Sequence, residues 1–162
     1  MGRRTIFTAG DLLLQHAGTG NDRIALIAGD EQISYDELIS RATRIAAWLA
    51  ADGVQPRDRV AIMLRKTPRL VSVLLGVYLS GAAAVLVHEK HKAKQIDHVL
   101  EHSGAVRLLS EHRLLRGARG TRFDADRIRD LGAIELPQRR LDVSRAVGED
   151  LAQIIYTSGS TG

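Results

Sequence analysis

Short apolar runs alternate with longer stretches of helical period through the first 110 residues, and that alternation constrains the fold most. Val60-Ala61-Ile62-Met63-Leu64, Ala84-Val85-Leu86-Val87 and Val106-Arg107-Leu108-Leu109 have the length and branching of buried strands. Leu70 to Leu79 is apolar nearly all round and reads as a helix enclosed between layers. Pro68 is tolerated in its first turn, and Gly81 ends it. Lys92 to His102 predicts a helix with Ile96, Val99 and Leu100 facing inward, terminated by Gly104. Upstream, Ile24-Ala25-Leu26-Ile27 and Gln32-Ile33 flank the Gly29-Asp30 turn and predict a small edge hairpin. Ser34, three residues before Glu37, is a capping-box signal for a helix. That helix carries Leu38, Ala42, Ile45 and Leu49 at helical spacing, and Gly53 closes it. Strand and helix in strict alternation predict an α/β fold, a parallel sheet with crossover helices on both faces.

The pattern weakens from Glu111 to Glu149, where a short helix near residues 111–116 and a strand at 133–136 are expected. Ala152 to Tyr156 then reads as a core strand, with Tyr156 its last core residue. Gly76, inside a buried helix, reads as a site of close approach by another element rather than a hinge. Trp48 reads as packing against the next layer.

Composition removes several function classes. The chain of 162 residues contains no cysteine, which excludes a disulfide scaffold, a thiolate metal site and cysteine catalysis together. No apolar run is long enough to span a bilayer. Arg3-Arg4 ahead of Ile6-Phe7 has the outline of a twin-arginine export signal, but Asp11 and Gln15-His16 interrupt the apolar region it needs. Ile6 stands where myristoylation requires Ser or Thr, so a cytoplasmic location is expected. The net charge of +4 hints at an anionic partner. The basic stretch from Arg113 to Arg145 is nevertheless broken by Asp124, Asp126, Asp130, Glu135 and Asp142, and only 4% of residues are aromatic. A solvated mixed-charge surface explains this better than a nucleic-acid face.

The chemistry is concentrated in the last six residues. Thr157, Ser158, Gly159, Ser160, Thr161 and Gly162 follow a strand directly and combine two glycines with four hydroxyl side chains. Glycine permits close backbone approach, so successive amide N–H groups can converge on an anion while the hydroxyls add donors. The spacing differs from the loop in which Lys follows the last glycine. A linker shares this composition, but a linker does not begin as the end of a core strand.

Tyr156-Thr157-Ser158-Gly159-Ser160-Thr161-Gly162 resembles the first half of the signature of the adenylate-forming ligases. That superfamily comprises acyl-CoA synthetases, luciferases and peptide-synthetase adenylation domains. Ile33-Ser34-Tyr35-Asp36-Glu37-Leu38 is similar to the family's Thr-Tyr-x-Glu-Leu helix start. Gly53-Val54, Asp58-Arg59-Val60-Ala61-Ile62 and Ser80-Gly81-Ala82 fall at its next landmarks. The resemblance runs from about Asp11 to Gly162 and implies the start of a large N-terminal AMP-binding domain. It implies that a carboxylate attacks the α-phosphate of ATP and that a thiol, usually coenzyme A, takes the acyl group. By the same analogy residues 157–162 hold the triphosphate and orient pyrophosphate as leaving group, with Mg²⁺ sharing the charge. The partners so implied are ATP and a small-molecule carboxylate.

The family signature continues into a Pro-Lys-Gly segment, and this sequence stops before its lysine. The catalytic residues of the family lie further on, so none is assigned here, and the isolated chain is expected to be inactive. Two departures bear on the subfamily. Arg57 replaces the usual glycine before Asp58, so the turn must avoid positive φ or bear strain. His88-Glu89-Lys90-His91-Lys92 replaces the Asp-Pro-x-Tyr-Pro string of peptide-synthetase domains, which favours an acyl-CoA synthetase over an amino-acid-activating domain. A non-catalytic nucleotide- or polyanion-binding module is the reading from another class. His98-Val99-Leu100-Glu101-His102 matches the inverted zinc-peptidase pattern but lacks an evident third ligand, so an exposed amphipathic face is preferred.

Overall fold

The computed structural model describes residues 8–17, 20, 22–116, 119–138, 146 and 148–157. Arg3, Arg4 and Ile6, part of the basic stretch at 139–145, and Ser158 to Gly162 lie outside the described residues. The elements in chain order are α1 (Ala9–Leu14), β1 (Ile24–Ala28), β2 (Glu31–Ser34), α2 (Tyr35–Ala51), β3 (Arg59–Met63) and α3 (Pro68–Leu79). They continue with β4 (Ala83–Leu86), α4 (Ala93–Ser103), β5 (Arg107–Ser110), α5 (His112–Leu115), β6 (Ile128–Asp130) and β7 (Gln153–Ile155).

The helix boundaries follow local chemistry. Ser34 Oγ accepts from the Glu37 N–H at 3.2 Å and opens α2. The Glu37 carboxylate does not complete the box; it accepts from Arg41 Nη2 at 2.6 Å, one turn on. Gly53, Gly81 and Gly104 follow α2, α3 and α4 with φ of 89°, 81° and 62°, values a side chain disfavours. At the start of α4 the Gln95 side chain accepts from the Lys92 N–H at 3.0 Å.

Five strands form one parallel sheet in the order β6-β5-β3-β4-β7, and β1 pairs with β2 as a separate antiparallel hairpin. Alternation along β3 divides the core between two faces. Val60 and Ile62 join Ile45 and Leu49 of α2 and Val73 and Val77 of α3. Ala61 and Met63 join Ile96, Val99 and Leu100 of α4 on the opposite face. Helices thus cover both faces, as the alternation predicted. α1 rests on the outside of the α2–α3 pair through Leu13 and Leu14.

Gly76 is the close approach between α2 and α3: a Cβ there would lie 2.5 Å from Ile45 Cγ2 and 3.0 Å from the Ala42 carbonyl oxygen. Trp48 packs against the first core cluster, as expected.

Two expectations are corrected. The strand expected at 133–136 is not formed; Ile128–Asp130 pairs with β5 instead. Ile134 and Leu136 pack on the core from a loop, and the Arg44 guanidinium takes the carbonyls of Leu136 and Pro137 at 2.9 and 2.8 Å. Apolarity there reports burial without pairing. Tyr156 is also not the last residue of its strand: it stands one position beyond β7, half-buried, and packs against the core cluster that Ala61 and Met63 join. Ile155 is 65% exposed on that strand.

Arg57 resolves the question posed by the missing glycine. Its φ is 73°, so the turn keeps the left-handed conformation and a side chain bears the strain. The Arg57 N–H donates to Gly81 O at 2.7 Å, and its Nε to Asp150 Oδ1 at 2.7 Å.

Candidate functional site

In a parallel sheet every strand ends at the same edge, and side chains after those ends gather there. The chain leaves β3 for β4 on one side, crosses back to β5 on the other and continues outward to β6, so the connections diverge between β3 and β5. Ligands of open α/β sheets bind in the crevice such a parting creates. A cavity of about 410 Å³ lies at the same carboxyl edge, one strand over, bordered by residues at or just beyond the carboxyl ends of β3, β4 and β7. Buried Ile62, Leu64 and Val87 back it, and exposed Ile155 closes one side. Lys66, His88, Glu89, His91 and Tyr156 are the polar groups that border it.

His88 Nδ1 accepts from the Lys90 N–H at 3.1 Å. That contact leaves the ring proton of neutral His88 on Nε2, a donor. The rings of His88 and His91 lie 5.6 Å apart. His91 Nδ1 is buried and has no hydrogen-bond partner. Burial, and then the neighbouring His88, hold the His91 imidazole below its ordinary value, so it favours the neutral form.

Thr157 is exposed, directly after Tyr156 at this edge. Ser158, Gly159, Ser160, Thr161 and Gly162, the rest of the expected phosphate loop, lie outside the described residues. Lys66 escaped the sequence reading, and His88 and His91 entered it as a departure from a family string and as unselected candidates, with Glu111, for a third ligand beside His98 and His102. Their signal was available: each stands just after an apolar strand, which in a parallel sheet is the ligand-binding edge.

The His98–His102 segment forms no metal centre. The two rings are 5.8 Å apart, but His102 Nδ1 is 2.8 Å from Tyr156 Oη, and both imidazoles meet the tyrosine ring edge-on. Glu101 pairs with Arg122 Nη2 at 2.8 Å. Among the described residues no group of three His, Asp or Glu side chains could hold a metal ion.

A parallel sheet with helices on both faces and a crevice at its carboxyl edge defines an α/β domain of the doubly wound kind. The family model for AMP-binding enzymes matches residues 13–162, and the chain belongs to that family of adenylate-forming enzymes. Its relatives include tyrocidine synthase 3 of Brevibacillus parabrevis, 39% identical over 87% of this chain and 2% of that protein. Bacitracin synthase 3 of Bacillus licheniformis is 34% identical over 93% of this chain and 2% of its own length. Among solved structures, the N-terminal subdomain of Klebsiella oxytoca NpsA superposes with a TM-score of 0.80 and 27% identity. That match covers 98% of this chain and 41% of the NpsA subdomain. The chain therefore spans a few per cent of the length of the curated relatives it matches. Among the described residues no helix is long and apolar enough to cross a membrane.

Proposed function

We propose that residues 1–162 are the first part of an adenylation domain that activates an amino acid or similar carboxylate with ATP for a peptide synthetase. The observation that carries this reading is the 39% identity to tyrocidine synthase 3 across 87% of the chain. The missing Asp-Pro-x-Tyr-Pro string taken alone favours an acyl-CoA synthetase, and the relatives favour the amino-acid reading instead. On this reading the thiol acceptor is the phosphopantetheine arm of a carrier protein rather than coenzyme A.

Thr157, Ser158, Gly159, Ser160, Thr161 and Gly162 hold the nucleotide phosphates. Backbone N–H groups and hydroxyls orient pyrophosphate as it leaves, so the acyl carboxylate attacks the α-phosphate in line. Among the described residues Glu89 is the one carboxylate bordering the cavity, a donor set that suits Mg²⁺ carried on the nucleotide better than a resident ion. That ion supplies charge neutralisation when bound.

Reading the gene beyond the Gly162 codon tests the proposal. An open frame encoding a Pro-Lys-Gly segment, the rest of the domain and then a carrier-protein domain is the expected result. A frame that ends after the ligase domains would return the acyl-CoA synthetase reading. A stop codon directly after Gly162 would overturn both and favour a nucleotide- or polyanion-binding module. The 162-residue chain alone is expected to release no pyrophosphate with any carboxylate above a buffer blank.

A further inference from the structure

We propose that Lys66 and His88, backed by His91, form a second phosphate-holding edge that takes the pyrophosphate portion of a nucleoside triphosphate. The inference deepens the reading above and rests on it for the identity of the ligand. Three separate segments bring polar groups to one cavity: Lys66 follows β3, His88 and His91 follow β4, and Tyr156 follows β7.

The polar groups suit an anion. The Lys66 ammonium offers three donors and no acceptor, and Nε2 of His88 is a donor because Nδ1 is occupied by the Lys90 N–H. Lys90 and Lys92 add positive charge on the same connection, and among the described residues Glu89 is the only carboxylate bordering the cavity. Lys66 and His88 are both exposed, and no ion pair at 4.0 Å or less engages either of them among the described residues. Elsewhere, Arg107 and Arg129 are held by Asp52, and Arg44 by backbone carbonyls. Ile62, Leu64 and Val87 behind the site exclude water and lower the local dielectric, which strengthens attraction for phosphate. This edge supplies cationic donors beside Thr157, and charge-assisted hydrogen bonds to phosphate are stronger than those from neutral hydroxyls.

Isothermal titration of the 162-residue chain with inorganic pyrophosphate, ATP and inorganic phosphate in separate runs tests the proposal. Pyrophosphate and ATP are expected to bind, and inorganic phosphate more weakly. Lys66→Ala and His88→Ala should each raise the pyrophosphate Kd about tenfold, and Lys66→Arg should restore most of the loss. Circular dichroism checks the fold, which exposed positions should leave unchanged. Unchanged Kd values in both variants, with Thr157→Ala weakened, would overturn this inference and leave the loop reading standing. Weakened Lys66→Ala and His88→Ala with an unaffected Thr157→Ala would keep the anion site and overturn the loop. No binding of any of the three anions by the wild-type chain would overturn both.

Discussion

Asp52 Oδ1 accepts from both Nε and Nη2 of Arg129, at 2.9 and 2.8 Å, so the residue that closes α2 holds the outermost strand β6. The other oxygen, Oδ2, takes Arg107 Nε at 2.6 Å, and the Asp52 carbonyl takes Arg107 Nη2 at 2.6 Å. All three side chains are largely covered, with 16 to 24% of their surface exposed. Asp52→Ala would strand two guanidiniums in a poorly solvated place and should cost about 2–4 kcal/mol in urea denaturation. Amide exchange in β6 should accelerate before the rest of the sheet. A loss under about 0.5 kcal/mol would show the network to be solvated after all.

The α2–α3 contact at Gly76 has no room for a side chain. Gly76→Ala places its methyl against Ile45 and the Ala42 carbonyl, and overpacking of this kind costs about 1–3 kcal/mol. Ile45→Ala in the same chain should recover part of that loss, leaving the share due to the Ala42 backbone. Thermal melts of the two single variants and the double variant measure the coupling. Strict additivity would refute the contact.

Arg57 bears a left-handed φ, and its side chain, 75% exposed, pairs at 2.7 Å with Asp150, whose side chain is only 9% exposed. Arg57→Gly relieves the strain but takes this partner from the covered Asp150 carboxylate, so the two effects should offset to within about 1 kcal/mol. Arg57→Val should destabilise by about 1–2 kcal/mol, because a branched side chain tolerates this region worst. Chemical denaturation of the pair gives the ordering. A glycine variant less stable than the valine variant would contradict the strain argument.

Acidification should weaken the fold in two separate windows. The buried Asp97 would be pushed up by desolvation, but the Thr121 hydroxyl, the Arg122 N–H and the Arg122 charge outweigh it and hold the carboxyl low. Its folded value lies below its unfolded one, so the stabilisation is present above the ordinary carboxylate range and is lost as pH falls through the folded value. His91 is also held low, so the unfolded chain takes up its proton first. Its contribution is complete above about pH 6.5 and declines as pH falls below that value. Stability measured from pH 8 to pH 3 should show both limbs. His91→Gln should remove the first and Asp97→Asn the second; a profile unchanged by either substitution would disprove the assignment.

Local chemistry made much of the molecule legible from sequence. Helix starts and stops depend on groups within four residues, and Ser34, Pro68, Gly53, Gly81 and Gly104 stand at the predicted ends. The buried strands β3, β4 and β5 were readable because strands covered on both faces must be apolar throughout. β6 was not, since two of its three residues, Arg129 and Asp130, are charged and its place depends on Asp52, 77 positions away.

The sequence by itself determined the α/β class, the order of the elements from β1 to α5 and a hydroxyl-rich run of residues beginning at Thr157, because periodicity, capping and composition are short-range properties. The tertiary structure decided the strand order, the left-handed turn kept at Arg57 and the pairing of Tyr156 with His102. It also decided the gathering of Lys66, His88 and His91 around one crevice. Those features depend on which distant segments share an edge, and no local pattern encodes a distance across the sheet.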